Sequence, residues 1–327
     1  MDWKPAVASV VCMLLSMAGF KPGYGATGDV PHGVRLDRVF RHDGRDRSYL
    51  IHVPSSYREG PLVPLVFVFH GGTGTAKKIA QFTGFDKLSQ RHGFLVVYPQ
   101  GLNGHWNDGR KEDEFREHNE SVDDIGFIIA LLESLKAEFT IDPNAVFATG
   151  VSNGGMFSHR LGIEHSQQFA AIAPVIGGVP EPLADGKPQQ PVSVLLMNGT
   201  EDPFVPYGGG PVTVRLFPLL RRRRLPDRGR VISTDAAVQF WLRHNGIAAE
   251  PRTTKLADTD PNDGCRVERT EWSDAERRVS VVLYKIIGGG HTYPGGSQYL
   301  PERVMGRTCG DFQATEAIWA FFAAHRR

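Results

Sequence analysis

The sequence predicts an α/β protein with a mostly parallel central sheet covered by helices on both faces. Apolar stretches such as VPLVFVF, FLVVYP and VSVLLMNG have no polar alternation, which is typical of strands buried on both sides. Segments with helical spacing alternate with these strands along most of the chain. The 327 residues are 41% hydrophobic and 22% charged, enough to bury one large core. We therefore expect residues 32–327 to form a single α/β domain.

The predicted elements follow one another in a regular order. The expected strands are RSYLIHV, VPLVFVFH, FLVVYP, AVFATG, FAAIAPVI, VSVLLMNG, RVERTEW and VSVVLYKII. The expected helices are AKKIAQFTGFDKLSQRHG, DDIGFIIALLESLKAEF, the segment from Asn153, STDAAVQFWLRHNG and DFQATEAIWAFFAAHRR. Ser121 or Asp123 can cap the second helix, because each has a short side chain that accepts backbone hydrogen bonds.

The N-terminus differs from the rest of the chain. Residues 5–20 carry no charge, follow Lys4 and precede small residues, but the apolar run is short for a membrane span. This pattern predicts an export signal over residues 1–26, with cleavage near Ala26. We therefore expect a secreted protein, extracellular or periplasmic, with no stable membrane anchor after cleavage.

The net charge bears on the possible partners of the protein, and the cysteine content bears on a possible disulfide. The formal net charge is +1, so the overall balance does not indicate nucleic acid, and the short block Arg221–Arg224 is predicted to be a solvated loop. Cleavage of the signal would leave Cys265 and Cys309, a candidate disulfide in an oxidising compartment, with two free buried thiols as the alternative.

The segment FATGVSNGGMF contains the pattern Gly-x-Ser-x-Gly at residues 150–154. It lies between a predicted strand and a predicted helix, the context in which this pattern forms a sharp turn that exposes a nucleophilic serine. A serine hydroxyl is weakly nucleophilic at neutral pH and needs a neighbouring base. Ser152 is therefore the candidate nucleophile.

Two later strands supply the partners that Ser152 would need. Asp202 follows VSVLLMNG and His291 follows VSVVLYKII, so the three residues occur in the order serine, acid, histidine. Glu201 is the competing acid, and Asp202 is preferred because it precedes the proline of the turn. This order predicts a Ser-His-Asp triad.

Acyl transfer also requires donors for a negatively charged oxygen. The backbone N–H of Asn153, at the start of a helix, is one candidate. The glycine-rich segment HGGTGT supplies the other, with Gly72 as first choice and Thr73 as second. Thr73 is also a candidate substrate contact, while His70 is expected to be structural.

These motifs give the chain a family resemblance. The stretches HGGTGT, VVYPQG, DDIGFI, TGVSNGGMF, NGTEDPFVPY, GGGHTYPGG and ATEAIWAFF resemble the secreted polyhydroxybutyrate depolymerases and feruloyl esterases, of the carbohydrate esterase family 1 type. The resemblance implies an α/β-hydrolase fold without a large lid domain, no cofactor and no metal. It also implies a serine esterase that cleaves hydroxyalkanoate or feruloyl-type esters through an acyl-enzyme intermediate.

The substrate contacts are less well defined by the sequence. Trp106 and Tyr293 are candidate walls for an aromatic or hydroxyacyl group, with a packing role for Trp106 as the alternative. Tyr293 departs from the tryptophan that many members of the family carry in this part of the histidine loop. An acyltransferase or peptidase using the same triad, or a non-catalytic binding protein on this scaffold, are the alternative functions.

Overall fold

A ten-stranded sheet organises the part of the chain that the computed structural model describes, residues 32–112, 116–213 and 227–327. The strands of this sheet are β1 (Val34–His42), β2 (Arg45–Val53), β3 (Val63–Phe69), β4 (Leu95–Pro99), β5 (Ile141–Val151), β6 (Ala171–Val175), β7 (Ser193–Gly199), β10 (Arg252–Lys255), β11 (Arg266–Asp274) and β12 (Val279–Ile287). Two short strands, β8 (Gly210–Pro211) and β9 (Arg230–Val231), pair with each other in a separate two-stranded sheet. The helices are α1 (Ala76–Thr83), α2 (Phe85–His92), α3 (Arg116–Ser121), α4 (Asp124–Glu138), α5 (Asn153–Glu164), α6 (Thr234–Asn245), α7 (Glu302–Met305) and α8 (Ala314–Ala324). The predicted export signal and the block Arg221–Arg224 lie outside the described residues.

The order of the strands brings the loops that carry the candidate site residues to one edge of the sheet. The strand order in the sheet is β1-β2-β4-β3-β5-β6-β7-β12-β11-β10. In this order, the neighbouring strands from β4 through to β12 are parallel, and the strands at both ends of the sheet are antiparallel to their neighbours. Phe69 pairs with Gly150, and Gly199 pairs with Ile286, so neighbouring strands end level with each other. The mostly parallel sheet predicted from the sequence is confirmed, and the segments after β3, β5, β7 and β12 meet at its carboxyl edge.

Helices cover both faces of the sheet, as β3 illustrates. Val66 and Val68 belong to one apolar cluster with residues of α1, α2 and α8. Phe69 points the other way, and its ring meets that of Phe157 on α5 at a centroid distance of 5.1 Å. The continuous apolar run of this strand thus reflects burial on two sides. Among the described residues from 32 onward, which form one compact unit, there is no separate lid domain.

Local chemistry explains where several helices begin and end. The side chains of Thr75, Asp123 and Ser233 accept backbone hydrogen bonds at the starts of α1, α4 and α6, so Asp123 is the cap of α4. The single helix predicted over residues 76–93 is wrong. Gly84 adopts φ 68° and divides it into α1 and α2, because glycine enters the left-handed region without steric cost.

The edge strands were not predicted. β1 and β10 are rich in charged and polar residues, and β10 is fully exposed, so neither carries a continuous apolar run. Membrane crossing has no candidate in the described ranges, since none of their helices is both apolar and long enough.

Candidate active site

Ser152 lies at the sharp turn between β5 and α5. Its backbone has φ 57° and ψ −119°, a conformation that costs a non-glycine residue about 1–3 kcal/mol and is characteristic of functional turns. A Cβ added to Gly150 would lie 2.5 Å from the backbone of Gly154, and one added to Gly154 would lie 2.5 Å from the carbonyl oxygens of Phe69 and His70. The two glycines are therefore required for α5 to start so close to the end of β3.

The structure brings together the three residues that the sequence placed in order. Ser152 Oγ lies 2.9 Å from His291 Nε2, and His291 Nδ1 lies 2.7 Å from Asp202 Oδ2. Asp202 and His291 are buried. In this arrangement a neutral imidazole can donate from Nδ1 to the carboxylate and accept the serine proton at Nε2.

Backbone hydrogen bonds from the surrounding loops fix the positions of Asp202 and His291. Asp202 Oδ1 accepts the backbone N–H groups of Phe204 and Val205, at 2.8 Å each. The backbone N–H of His291 donates to Met305 O at 2.6 Å. Glu201, the competing acid, is exposed and its side chain makes no such contact within the described residues. The geometry therefore favours Asp202.

The candidate oxyanion donors differ in whether their N–H groups are already used. The N–H of Thr73 donates to Gly104 O at 2.8 Å, which occupies it. The N–H groups of Gly72 and Asn153 make no hydrogen bond to any described residue, and both residues line the same cavity as Ser152. Between Gly72 and Thr73, the geometry thus favours Gly72.

A cavity of about 670 Å³ opens beside Ser152 and His291. Thr73, the candidate substrate contact, lies on its wall. Phe82 and Tyr299 form an aromatic side of the cavity, with ring centroids 5.5 Å apart at 85°. Neither residue was predicted from the sequence, because neither lies in a motif.

Tyr293 and Trp106, the candidate walls of the substrate site, do not line the cavity, and for Trp106 the structure favours the packing role that was the alternative. Tyr293 is 4% exposed and does not line the cavity; its hydroxyl meets Thr315 Oγ1 at 2.8 Å and its ring packs on Phe82. Burial raises the pKa of the Tyr293 hydroxyl. Trp106 is fully buried and stacks on Phe157 with ring centroids 5.1 Å apart, so it is a core residue.

His70 is neutral in this environment. Burial lowers the pKa of its imidazole to about 4. Its Nδ1 lies 2.8 Å from Gly71 O, and its Nε2 accepts the N–H of Gly101 at 3.0 Å. These contacts are consistent with the structural role expected for His70.

The predicted disulfide is not formed in the structure. Cys265 and Cys309 are buried free thiols, although their sulfurs lie within 4.8 Å of each other and of an oxygen of Asp263. The Asp263 carboxylate accepts backbone N–H groups of Cys265 and Gly310, which uses both of its oxygens. The trio offers metal-ligand atom types, but its carboxylate already serves the backbone.

The sheet and the turn at Ser152 define a protein of the α/β-hydrolase fold, and comparisons with known proteins place it among the esterases of this fold. A solved acetyl xylan esterase from Aspergillus awamori superposes with a TM-score of 0.51 over 77% of this chain and 93% of that one, at 16% identity, which bears on the fold alone. A family model described as "Esterase PHB depolymerase" matches residues 47–186.

Sequence relatives then identify the family. "Putative esterase NocK" of Nocardia uniformis subsp. tsuyamanensis is 30% identical over 266 residues, covering 81% of this chain and 76% of the relative. "Probable feruloyl esterase C" of Aspergillus flavus is 27% identical over 86% of both chains. "Feruloyl esterase B" of Piromyces equi is 25% identical over 75% of this chain but 42% of its own length. The chain belongs to the polyhydroxybutyrate depolymerase and feruloyl esterase family, and it is a carboxylic-ester hydrolase.

Proposed function

We propose that the protein is a serine esterase in which Ser152 is the nucleophile, His291 the general base and Asp202 the residue that orients the imidazole. The observation that carries this proposal is the continuous chain of contacts from Ser152 Oγ through His291 to Asp202, at 2.9 and 2.7 Å. Both distances are those of hydrogen bonds, so a proton can move from the serine to the imidazole as the new bond forms.

The reaction takes place in two halves. Ser152 Oγ attacks the ester carbonyl carbon while His291 Nε2 takes its proton, and the negative charge that develops on the carbonyl oxygen meets the N–H groups of Gly72 and Asn153. Collapse breaks the ester bond, and His291 gives its proton to the leaving alcohol. Water then attacks the acyl-serine by the same route and releases the acid.

The substrates we propose are feruloyl-type and hydroxyalkanoate esters. Names of the matched relatives and of the family model include both chemistries. Phe82 and Tyr299 offer aromatic surfaces on the cavity wall, on which a planar aromatic acid could pack edge-to-face or offset. A cavity of about 670 Å³ is also within the range that holds a small ligand.

We also propose that residues 1–26 direct export, on the basis of their composition alone. Expression of the full chain in a bacterial host, followed by fractionation, tests this. The full chain should appear outside the cytoplasm and shortened at its N-terminus, whereas a chain that starts at residue 27 should stay inside. Equal distribution of the two would contradict export.

The proposed activity is tested by Ser152→Ala with Ser158→Ala as the matched control. Ser158 lies on α5, the helix that begins directly after Ser152, and it does not line the cavity. We expect Ser152→Ala to fold normally and lose nearly all turnover of a short aryl ester, while Ser158→Ala retains most of it. Retained turnover in Ser152→Ala would contradict the proposal.

Two further measurements with the wild-type enzyme define the reaction. Rates with feruloylated sugars, hydroxybutyrate oligomers and short aryl esters would rank the substrate classes. The ratio of free acid to transesterified product in added alcohol, and the rate on the matching amide, would separate hydrolysis from acyl transfer and peptidase activity. A dominant transfer product would make the acyltransferase the better description.

A further inference from the structure

We propose that Trp106 is a positioning residue that fixes both halves of the oxyanion site at once, a role distinct from the substrate contact first expected of it. The inference rests on the proposed function, in which the N–H groups of Gly72 and Asn153 receive the negative charge. Trp106 follows β4 and the short turn after it, and it contacts the segment of each donor through a different part of its structure.

The backbone of Trp106 holds the side chain of Asn153. The Trp106 N–H donates to Asn153 Oδ1, and Asn153 Nδ2 donates back to Trp106 O, both at 2.9 Å. The second Nδ2 hydrogen meets Asp108 Oδ2 at 2.7 Å. Three hydrogen bonds on a side chain that is 3% exposed fix the first residue of α5, and with it the direction of the backbone N–H of Asn153.

The indole of Trp106 holds the other donor segment. Its Nε1–H donates to the carbonyl oxygen of His70 at 3.0 Å, and His70 is two residues before Gly72. The ring packs against Phe69 at the end of β3 and against Phe157 on α5, at centroid distances of 5.3 and 5.1 Å. Trp106 is therefore a rigid link between the loop that carries Gly72 and the helix that carries Asn153.

A buried ion pair anchors this link. Asp108 is fully buried and pairs with Arg110, whose Nη2 lies 2.8 Å from Asp108 Oδ2. Burial alone would raise the pKa of the Asp108 carboxyl, but the charge and hydrogen bonds of Arg110 lower it below its usual value. The carboxylate thus stays ionised as the acceptor for Asn153, and its charge is compensated close to the site where an oxyanion would form.

Two donors on separate segments stabilise an oxyanion only while both stay at about 2.7–3.1 Å from it, so a small relative shift has a large effect on rate. Loss of the indole N–H would release the His70 carbonyl, and loss of the Asn153 side chain would release the start of α5. Neither change removes the backbone N–H of Gly72 or Asn153, and neither alters the side chain of Ser152 or His291. Both should therefore lower kcat without weakening ground-state binding.

The test uses Trp106→Phe and Asn153→Ala in the full-length enzyme, with Trp241→Phe as matched control. Trp241 is likewise fully buried, but its indole N–H donates to His159 Nδ1 at 3.3 Å and not to the loop that carries Gly72. Steady-state kinetics on an aryl ester are measured together with inhibition by an arylboronic acid, which forms a tetrahedral adduct with an active-site serine, and by the product acid.

We expect kcat to fall about tenfold in Trp106→Phe and in Asn153→Ala, with KM unchanged within about twofold. The inhibition constant of the boronic acid should rise by a similar factor, whereas that of the product acid should not change. Trp241→Phe should lower the melting temperature about as much as Trp106→Phe and leave both inhibition constants at wild-type values.

The outcomes separate this inference from the proposed function. If Ser152→Ala is inactive but Trp106→Phe and Asn153→Ala keep wild-type kcat and boronate affinity, the positioning role is wrong and the serine mechanism stands. A loss of kcat shared by Trp241→Phe would also overturn the inference, because the effect would then follow stability. Activity in Ser152→Ala would remove the mechanism on which both depend.

Discussion

One carboxylate oxygen of Asp202 faces Nδ1 of His291 at 2.7 Å, while the other oxygen accepts two backbone N–H groups of its own turn. The acid is thus fixed by the chain that carries it, and its free oxygen is directed at the imidazole. A proton held on Nδ1 leaves the lone pair of Nε2 for Ser152, so the acid selects the tautomer as well as the orientation.

The first prediction concerns this tautomer. Asp202→Asn keeps the size of the side chain but can present an N–H to Nδ1, which would favour the wrong tautomer of His291. We expect kcat to fall by about 10³–10⁴-fold with little change in melting temperature. Glu201→Gln, at the exposed neighbouring acid, should retain near wild-type kcat in the same assay. Similar losses in both variants would contradict the assignment of Asp202.

The proximity of Ser152, Asp202 and His291 could be predicted, because each of them follows an apolar strand of the predicted sheet. Parallel strands bring their carboxyl ends to one edge, so residues far apart in sequence become neighbours there. The glycines around Ser152 carried a second signal, since a sharp turn between strand and helix excludes larger residues. The positions of the three residues at the edge of the sheet could therefore be predicted from the sequence.

The walls of the cavity could not be predicted in the same way. Tyr293 is two residues from His291, yet its side chain points into the core, toward Thr315. Phe82 reaches the cavity although it lies in an ordinary amphipathic helix. The direction of a side chain at a loop or helix end depends on packing with distant elements. A local sequence pattern does not contain that information, so the residues of the cavity wall could not be predicted.

The second prediction distinguishes the true aromatic wall from the expected one. Phe82→Ala should raise KM for feruloyl-type esters about tenfold relative to acetyl esters, because the ring removed lies on the cavity wall beside Tyr299. Tyr293→Phe removes only a buried hydroxyl, and we expect lower stability with unchanged preference between the two esters. Measurement of kcat/KM for both substrates in each variant checks this. A shift in preference in Tyr293→Phe alone would contradict the placement.

The third prediction concerns Cys265 and Cys309, whose sulfurs lie within 4.8 Å. Cys265 precedes β11, and Cys309 follows the segment that pairs with the backbone of the His291 loop. Oxidation to a disulfide would close a loop of about 45 residues, and an unstrained bond would stabilise the fold by about 3–4 kcal/mol. We expect the melting temperature to rise after mild oxidation and to fall again with a reductant. Cys309→Ser should show no such redox dependence; an equal response in that variant would contradict the pairing.

The last prediction concerns stability at acidic pH. Burial lowers the pKa of His159 to about 3, whereas an unfolded histidine titrates near 6.5. Below pH 6.5 the unfolded chain therefore binds a proton that the folded chain excludes, so the free energy of unfolding decreases as the pH falls toward 3. At pH 5 this histidine alone should cost about 2 kcal/mol relative to neutral pH. Burial of His70 acts in the same direction between pH 6.5 and 4.

His159→Asn tests this, because asparagine can accept the indole N–H of Trp241 but does not titrate in this range. Urea unfolding at pH 7.5 and pH 5 should show a decrease in unfolding free energy that is smaller in this variant than in wild type by about 2 kcal/mol. Trp241→Phe serves as the control, since it breaks the same hydrogen bond from the other side and keeps the buried imidazole. It should lower stability at both pH values and leave the difference between them as in wild type. An unchanged pH dependence in His159→Asn would show that protonation of this ring does not limit stability in acid.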